Sequence, residues 1–130
     1  MIVYIDTSAA MKLMVDEAES DELESYCDTA GVSIVSSDLL ETELRRAATR
    51  VGIPTDDVTD VLDRIDLYEL PRGAFAQAGR LPGARLRTLD ALHVVGALRI
   101  AADTVLTYDA RMSEAASNLG LAVVAPGSPD

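Results

Sequence analysis

Tryptophan is absent from these 130 residues, phenylalanine and cysteine occur once each, and the only lysine is Lys12. With four tyrosines as the remaining aromatics, any folded core has to be mainly aliphatic. The lone Cys27 admits no internal disulfide, which points to a reducing, cytoplasmic setting. It has no neighbouring histidine or second cysteine and reads as structural. No stretch approaches the ~18 apolar residues of a membrane span, and no basic segment leads into an apolar one. Neither a transmembrane helix nor a signal peptide is therefore expected. One histidine, and no Gly-x-Ser-x-Gly or Gly-Lys-Ser/Thr motif, exclude triad hydrolases and P-loop enzymes.

What is present suits a globular protein. The hydrophobic content is 48%, and a chain this long buries roughly two-thirds of its unfolded surface on folding. One domain over residues 1–125 is expected, with residues 126–130, at the end of APGSPD, as a disordered tail. Net charge is −11, which opposes non-specific nucleic-acid binding, since that rests on Lys and Arg neutralising phosphates. The distribution is uneven. Residues 56–70, DDVTDVLDRIDLYEL, carry six acids and one arginine, whereas Arg72, Arg80, Arg85 and Arg87 lie in a stretch, 71–89, with no acid at all. Those arginines suit phosphate contacts or ordinary salt bridges equally.

Short apolar runs alternate with helical patterns. Strands are expected at 2–5, 32–35, 66–70, 104–107 and 121–124, and helices near 8–14, 19–29, 37–51, 55–64, 73–80, 88–102 and 109–118. Strands separated by helices need crossover connections, hence a mainly parallel sheet covered on both faces. The fold class is α/β, as a three-layer α/β/α sandwich. In such sheets ligands gather outside the carboxyl ends of the strands.

Carboxylates stand at those ends. Asp6 follows IVYI, and Asp109 follows TVLTY. Taken singly, each is adequately explained as a helix N-cap. Asp90 opens the apolar helix RTLDALHVVGAL, expected to be capped by Thr88 and to carry a stripe of Leu89, Leu92, Val95 and Leu98. His93 shares the face of Asp90 and reads foremost as a packed core histidine. On helix 37–51, Glu41 pairs with Arg45 at i+4, while Glu43 lies beside the inward stripe. There it is either a site residue or a stripe-edge glutamate held by Arg46 or Arg50. Four carboxylates at one edge repel unless a cation neutralises them. An oxygen-only set suits Mg²⁺ or Mn²⁺ rather than Zn²⁺, and such ions support phosphodiester hydrolysis.

The order YIDTSA, SDLLETELRRA, LRTLDALHVVGAL and VLTYDARM resembles the PIN-domain nucleases, in particular the VapC-type toxins of toxin–antitoxin pairs, over essentially the whole chain. The resemblance implies a central five-stranded parallel sheet and Mg²⁺- or Mn²⁺-dependent endoribonuclease activity on RNA. It also implies a homodimer and an inhibitory VapB-type antitoxin that covers the acidic pocket. The acidic positions of the family fall on Asp6, Glu43, Asp90 and Asp109. Asp6, Asp90 and Asp109 would hold the metal, Glu43 would complete the site, and Thr7 or Ser8 would supply the hydroxyl beside the first aspartate. The rival readings are a PIN-fold binding module without catalysis and a phosphoryl-accepting α/β domain. The second needs a lysine from a later strand or loop, and this chain has only Lys12 in its first helix.

Overall fold

In a computed structural model, residues 1–129 are described, and five strands form one parallel sheet in the order β3-β2-β1-β4-β5. The strands are β1 (Ile2–Ile5), β2 (Ser33–Ser37), β3 (Asp66–Tyr68), β4 (Thr104–Leu106) and β5 (Ala122–Val124). The helices are α1 (Thr7–Met14), α2 (Ser20–Cys27), α3 (Leu39–Val51), α4 (Thr55–Leu62), α5 (Arg72–Gly79), α6 (Thr88–Ile100) and α7 (Ala110–Asn118). The chain leaves central β1 for β2 and β3 on one side, then crosses to β4 and β5 on the other. Strand order therefore reverses between β1 and β4, and the crevice outside their carboxyl ends is where an open α/β sheet binds ligands.

Alternation along β1 distributes the core. Val3 and Ile5 join a cluster with Ala9, Leu23, Leu40, Leu44 and Val58 from the α1–α4 side. Tyr4 points to the opposite layer, with Val94 and Ala97 of α6 and Met112 of α7. The three-layer sandwich follows from this two-sided burial. Helix α3 is amphipathic, burying Leu40, Leu44, Ala47 and Ala48; each fully buried leucine contributes about 1.5–3 kcal/mol relative to exposure. It stops at Gly52, whose φ of 79° favours glycine. Helix α6 is different: every residue from Ala91 to Ala97 is buried, because its second face packs on α5 through Leu92 and Val95.

Several sequence expectations shift. Strand β2 runs on through Ser36 and Ser37, both fully buried. Pairing with β1 and β3 decides this, and Ser36 Oγ donates to the Ile5 carbonyl at 2.8 Å. Strand β3 is shorter than expected, since Leu70 turns away into the α5–α6 cluster. Thr88 does not cap α6: Arg87 occupies the N-cap and makes no side-chain cap bond. Leu89 is 44% exposed and leaves the expected stripe, because α6 is not yet covered at its first turn. Tyr108 Oη donates to the Pro126 carbonyl at 2.7 Å, and Gly127 lies against Glu19 and Glu22. Asp130 lies outside the described residues.

Candidate metal centre

The backbone ladder at the switch point continues one residue past β1, with Asp6 N donating to the Leu106 carbonyl, at the end of β4, at 3.2 Å. That contact brings Asp6 beside Thr107. Asp6 is only 4% exposed, so its carboxylate has lost most of its water and needs donors. Oδ1 accepts from Ser8 Oγ (2.7 Å) and from the Ala9 amide (3.1 Å), the latter capping α1. Oδ2 accepts from Thr107 Oγ1 at 2.5 Å. Thr107 Oγ1 in turn accepts from the Asp109 amide (3.0 Å), and Ser8 Oγ accepts from the Tyr108 amide (3.0 Å). Two hydroxyls thus stitch the end of β1 to the end of β4. Burial still pushes the Asp6 carboxyl above the usual range, against the pull of Thr107, Ser8 and the Ala9 amide.

Asp109 is the N-cap of α7, its Oδ1 accepting from the Arg111 and Met112 amides at 2.8 and 3.0 Å. Both strand-end aspartates are therefore caps, as the simplest reading of each requires, and both stand at the switch point as well. Asp90, in the first turn of α6, shares their electrostatic environment. Its carboxyl is pushed up by burial first and then by the negative charges of Asp109 and Asp6. Its Oδ2 is buried with no hydrogen-bond partner among the described residues, and so is Thr7 Oγ1. Leaving such an atom unpaired costs about 1–3 kcal/mol, more when it is charged, and that cost asks for a partner from outside the chain.

Glu43 reaches inward from α3, its side chain 19% exposed, and Oε1 lies 2.5 Å from His93 Nε2. Of the two readings of Glu43, the tether to Arg46 or Arg50 is not made: both arginines are exposed, and the partner is this histidine. Glu41 stays on the surface with Arg45 at 3.2 Å. Thr107 and the hydroxyl of Tyr4 are contributors the sequence reading missed. Their only signal was a polar group at the end, or in the middle, of an otherwise apolar strand.

The donor set fits a hard divalent cation. Carboxylate and hydroxyl oxygens converge, one acid has a buried oxygen without a partner, and no thiol cluster competes. Asp6 offers about four lone-pair sites and uses three, leaving capacity for an ion. Among the described residues no group of three or more acidic, histidine or cysteine side chains is placed to hold a metal ion by itself. Mg²⁺ tolerates this, because it keeps several waters and is held through one or two carboxylates plus substrate phosphates.

Lys12 is occupied elsewhere, its Nζ 2.8 Å from Glu17 and 3.0 Å from Glu19, so the lysine a phosphoryl-accepting site needs is absent from this edge. Arg85 and Arg111 line one cleft beside the start of α7, together with Glu114. Among the described residues, Arg72, Arg80, Arg85, Arg87 and Arg111 make no ion pair. No helix among the described residues is long and apolar enough to cross a membrane. Burial pushes the half-buried Cys27 thiol up to about 11, consistent with an inert structural residue.

Comparison with known proteins shows the family and the fold. A family model described as PIN domain matches residues 3–118. Ribonuclease VapC35 of Mycobacterium tuberculosis is 39% identical over 97% of this chain and 98% of its own length. Ribonuclease VapC46 of the same organism is 40% identical over 95% and 97%. Among solved structures, the fold is similar to that of M. tuberculosis VapC20, described as a sarcin-ricin loop cleaving toxin. The TM-score is 0.75 at 13% identity, covering 95% of this chain and 99% of that one. It is also similar to VapBC2 from Rickettsia felis bound to a promoter DNA fragment. There the TM-score is 0.71 at 16% identity, covering 97% and 99%.

Proposed function

The chain belongs to the PIN domain family, and on that premise we propose that it is a metal-dependent endoribonuclease acting as the toxin of a toxin–antitoxin pair. The observation that supports the reading is Asp90 Oδ2, buried with no hydrogen-bond partner among the described residues, on a carboxyl that feels the negative charges of Asp109 and Asp6. Asp6, Asp90 and Asp109 would hold Mg²⁺ or Mn²⁺, which when bound supplies Lewis-acid polarisation of the phosphate and a more acidic water. The protein's own part is positional. Ser8 and Thr107 fix both oxygens of Asp6, and the α7 amides fix one oxygen of Asp109. Glu43 keeps one oxygen without a hydrogen bond among the described residues, ready to orient the attacking water or accept its proton. Thr7, whose hydroxyl is unpartnered, is the candidate for the outer ligand shell, since Ser8 is committed to Asp6.

Arg87 lies near Asp90, and Arg85 and Arg111 line the cleft beside the start of α7; with Arg80 they are proposed to bind RNA phosphates, which reconciles the −11 charge with a nucleic-acid substrate. A separately encoded VapB-type antitoxin would cover the acidic pocket, with a basic side chain supplying the missing counter-charge. Exposed Phe75 and Leu89, on adjoining α5 and α6, offer an apolar surface to a homodimer, and a cytoplasmic location accords with the unpaired Cys27.

The test is 5′-end mapping of RNA after brief expression, comparing wild type with Asp6→Asn. Discrete new ends that need Asp6 are the expected result; identical end profiles for the two proteins reject the nuclease reading. A catalytically silent binding module is the alternative, and calorimetric titration with Mn²⁺ separates the two. A silent module binds little metal, whereas the nuclease binds Mn²⁺ and loses that binding when Asp6, Asp90 or Asp109 is changed.

A further inference from the structure

The cleft beside the start of α7 holds an acid that phosphate binding does not explain. Helix α7 buries Met112 and Ala116 and turns Arg111, Glu114, Ala115 and Asn118 toward the cleft, a stripe at i, i+3, i+4 and i+7. The opposite wall is the loop 82–86. Gly83 adopts φ 105° there, the Leu86 amide donates to the Gly83 carbonyl at 3.1 Å, and Leu86 packs on the α5–α6 cluster. That turn carries Arg85 into the same cleft. The volume is about 170 Å³, below the ~300–1,000 Å³ of a drug-sized pocket and suited to one flat ring system. Arg111 and Glu114 stand at i and i+3, where opposite charges can pair along a helix. Among the described residues, however, Glu114 pairs with neither arginine.

A carboxylate placed there is repelled by the phosphates that Arg85 and Arg111 are proposed to hold, unless it meets hydrogen-bond donors. RNA carries its donors on the bases and on the 2′-hydroxyls. We propose that Glu114, with Asn118, forms a subsite that reads a guanine base beside the scissile phosphate; this rests on the nuclease reading above. A carboxylate only accepts, whereas a side-chain amide both donates and accepts. The Watson–Crick edge of guanine presents two adjacent donors, N1–H and N2–H, followed by the acceptor O6. Glu114 takes both donors, one per oxygen, and Asn118, one turn further along the same stripe, donates to O6. Adenine and cytosine each offer one amino group followed by a ring-nitrogen lone pair, and uracil offers one N–H between two carbonyls. With any of these three, one Glu114 oxygen faces another lone pair. Glu114 lies five residues beyond the Asp109 cap of α7, about 7 Å along the axis at 1.5 Å per residue. A base seated here therefore belongs to a nucleotide next to the one at the acidic edge.

The probes are fluorescein-labelled RNA hexamers, UUUGUU, UUUAUU, UUUCUU and UUUUUU, together with UUUIUU, whose inosine lacks the N2 amino group. Anisotropy titrations use the Asp6→Asn protein in EDTA, so that no cleavage intervenes. UUUGUU should bind about 10-fold tighter than the A, C and U probes, within the range of one bidentate base contact, and UUUIUU should lose most of that gain. Glu114 is exposed, so Glu114→Gln leaves packing alone. It should weaken UUUGUU about 10-fold and erase the difference between UUUGUU and UUUIUU. It should leave UUUUUU unchanged or tighter, because a repelling charge is gone. Asn118→Ala should weaken UUUGUU and UUUIUU alike, by about 3-fold, since both keep O6. Equal binding of the five probes, which a contact to a 2′-hydroxyl would also give, overturns the proposal. So does a Glu114→Gln protein that binds all five tighter by one factor, the signature of a solvated acid that merely repels. The nuclease reading is judged separately. If guanine is preferred but expression yields no Asp6-dependent RNA ends, that reading falls and the cleft stands as a guanine-binding site. If such ends appear without any guanine preference, only the subsite falls.

Discussion

Thr107→Val is the substitution that most directly interrogates the join between β1 and β4. Valine keeps the volume and the β-branch, so packing changes little, and what is lost is one oxygen. That oxygen donates to Asp6 Oδ2 at 2.5 Å, accepts from the Asp109 amide at 3.0 Å and lies 3.3 Å from Ser8 Oγ. A hydrogen bond to a charged group contributes about 1.5–3 kcal/mol, and an amide left unpaired costs about 1 kcal/mol where water can partly reach it. The expected loss is about 3 kcal/mol in urea unfolding at pH 7 in EDTA, or roughly 10 °C in melting temperature for a domain this size. Thr107→Ser restores the oxygen and should stay within about 1 kcal/mol of wild type. The pH dependence provides a second check. Burial already holds Asp6 above its usual value, and the Thr107 bond is the largest influence opposing it. Removing that bond raises the folded-state value further. The added destabilisation is present above the raised folded value and is lost as pH falls through it toward the unfolded value of about 3.9. A deficit below about 1 kcal/mol, or one unchanged between pH 7 and about pH 4, would refute this account of the join.

Asp90→Asn removes a carboxylate held up by burial and by the charges of Asp109 and Asp6. The metal-free protein should melt higher, by up to about 1 kcal/mol after solvent screening, while the Mn²⁺-induced rise in melting temperature disappears. The gap from wild type should close as pH falls toward about 4, and a variant that melts lower than wild type in EDTA would contradict the repulsion. Arg85→Gln with Arg111→Gln, in an Asp6→Asn background, should reduce the salt slope of single-stranded RNA binding by about 1.4, at ~0.7 per lost phosphate contact. Arg64→Gln, on the opposite edge and paired with Glu24 at 2.7 Å, should leave that slope alone; equal slopes in all three proteins would remove these arginines from the RNA surface. Ala101 ends α6 at φ 59°, a conformation that strains a side chain by about 1–2 kcal/mol. Ala101→Gly should therefore stabilise the protein by about 0.5–1 kcal/mol in the same urea assay, and destabilisation would show that the helix end is not strained.

The alternation of apolar runs and helical patterns carried the fold because it is a local property. A parallel strand buried on both faces has to be apolar throughout, as Val3, Tyr4 and Ile5 are, and a half-buried helix has to repeat with its turn, as Leu40, Leu44 and Ala47 do. The positions of Asp6, Glu43, Asp90 and Asp109 were equally legible, since strand ends and helix first turns are local addresses. Their company was not. Whether Asp6 is a cap or a wall of a pocket depends on β4 lying beside β1 rather than elsewhere in the sheet, and strand order is decided by packing between segments a hundred residues apart. The same holds for Glu43, whose partner proved to be His93 instead of an arginine one turn away. Helical spacing ranks near neighbours and is blind to a histidine delivered from the other layer. Thr88 and Leu89 looked like cap and stripe by local rules, yet Arg87 takes the cap and Leu89 faces solvent, because coverage of α6 is set by α5 and the sheet. By itself, then, the sequence determined which residues are apolar, which are acidic and which elements carry them. Only the tertiary structure decided that Thr107 would link Asp6 to Asp109, with Asp90 near enough to feel both charges, and that a tyrosine from the central strand would reach a histidine behind Glu43. Charge repulsion and buried hydrogen bonds act through space, and distance along the chain does not measure that.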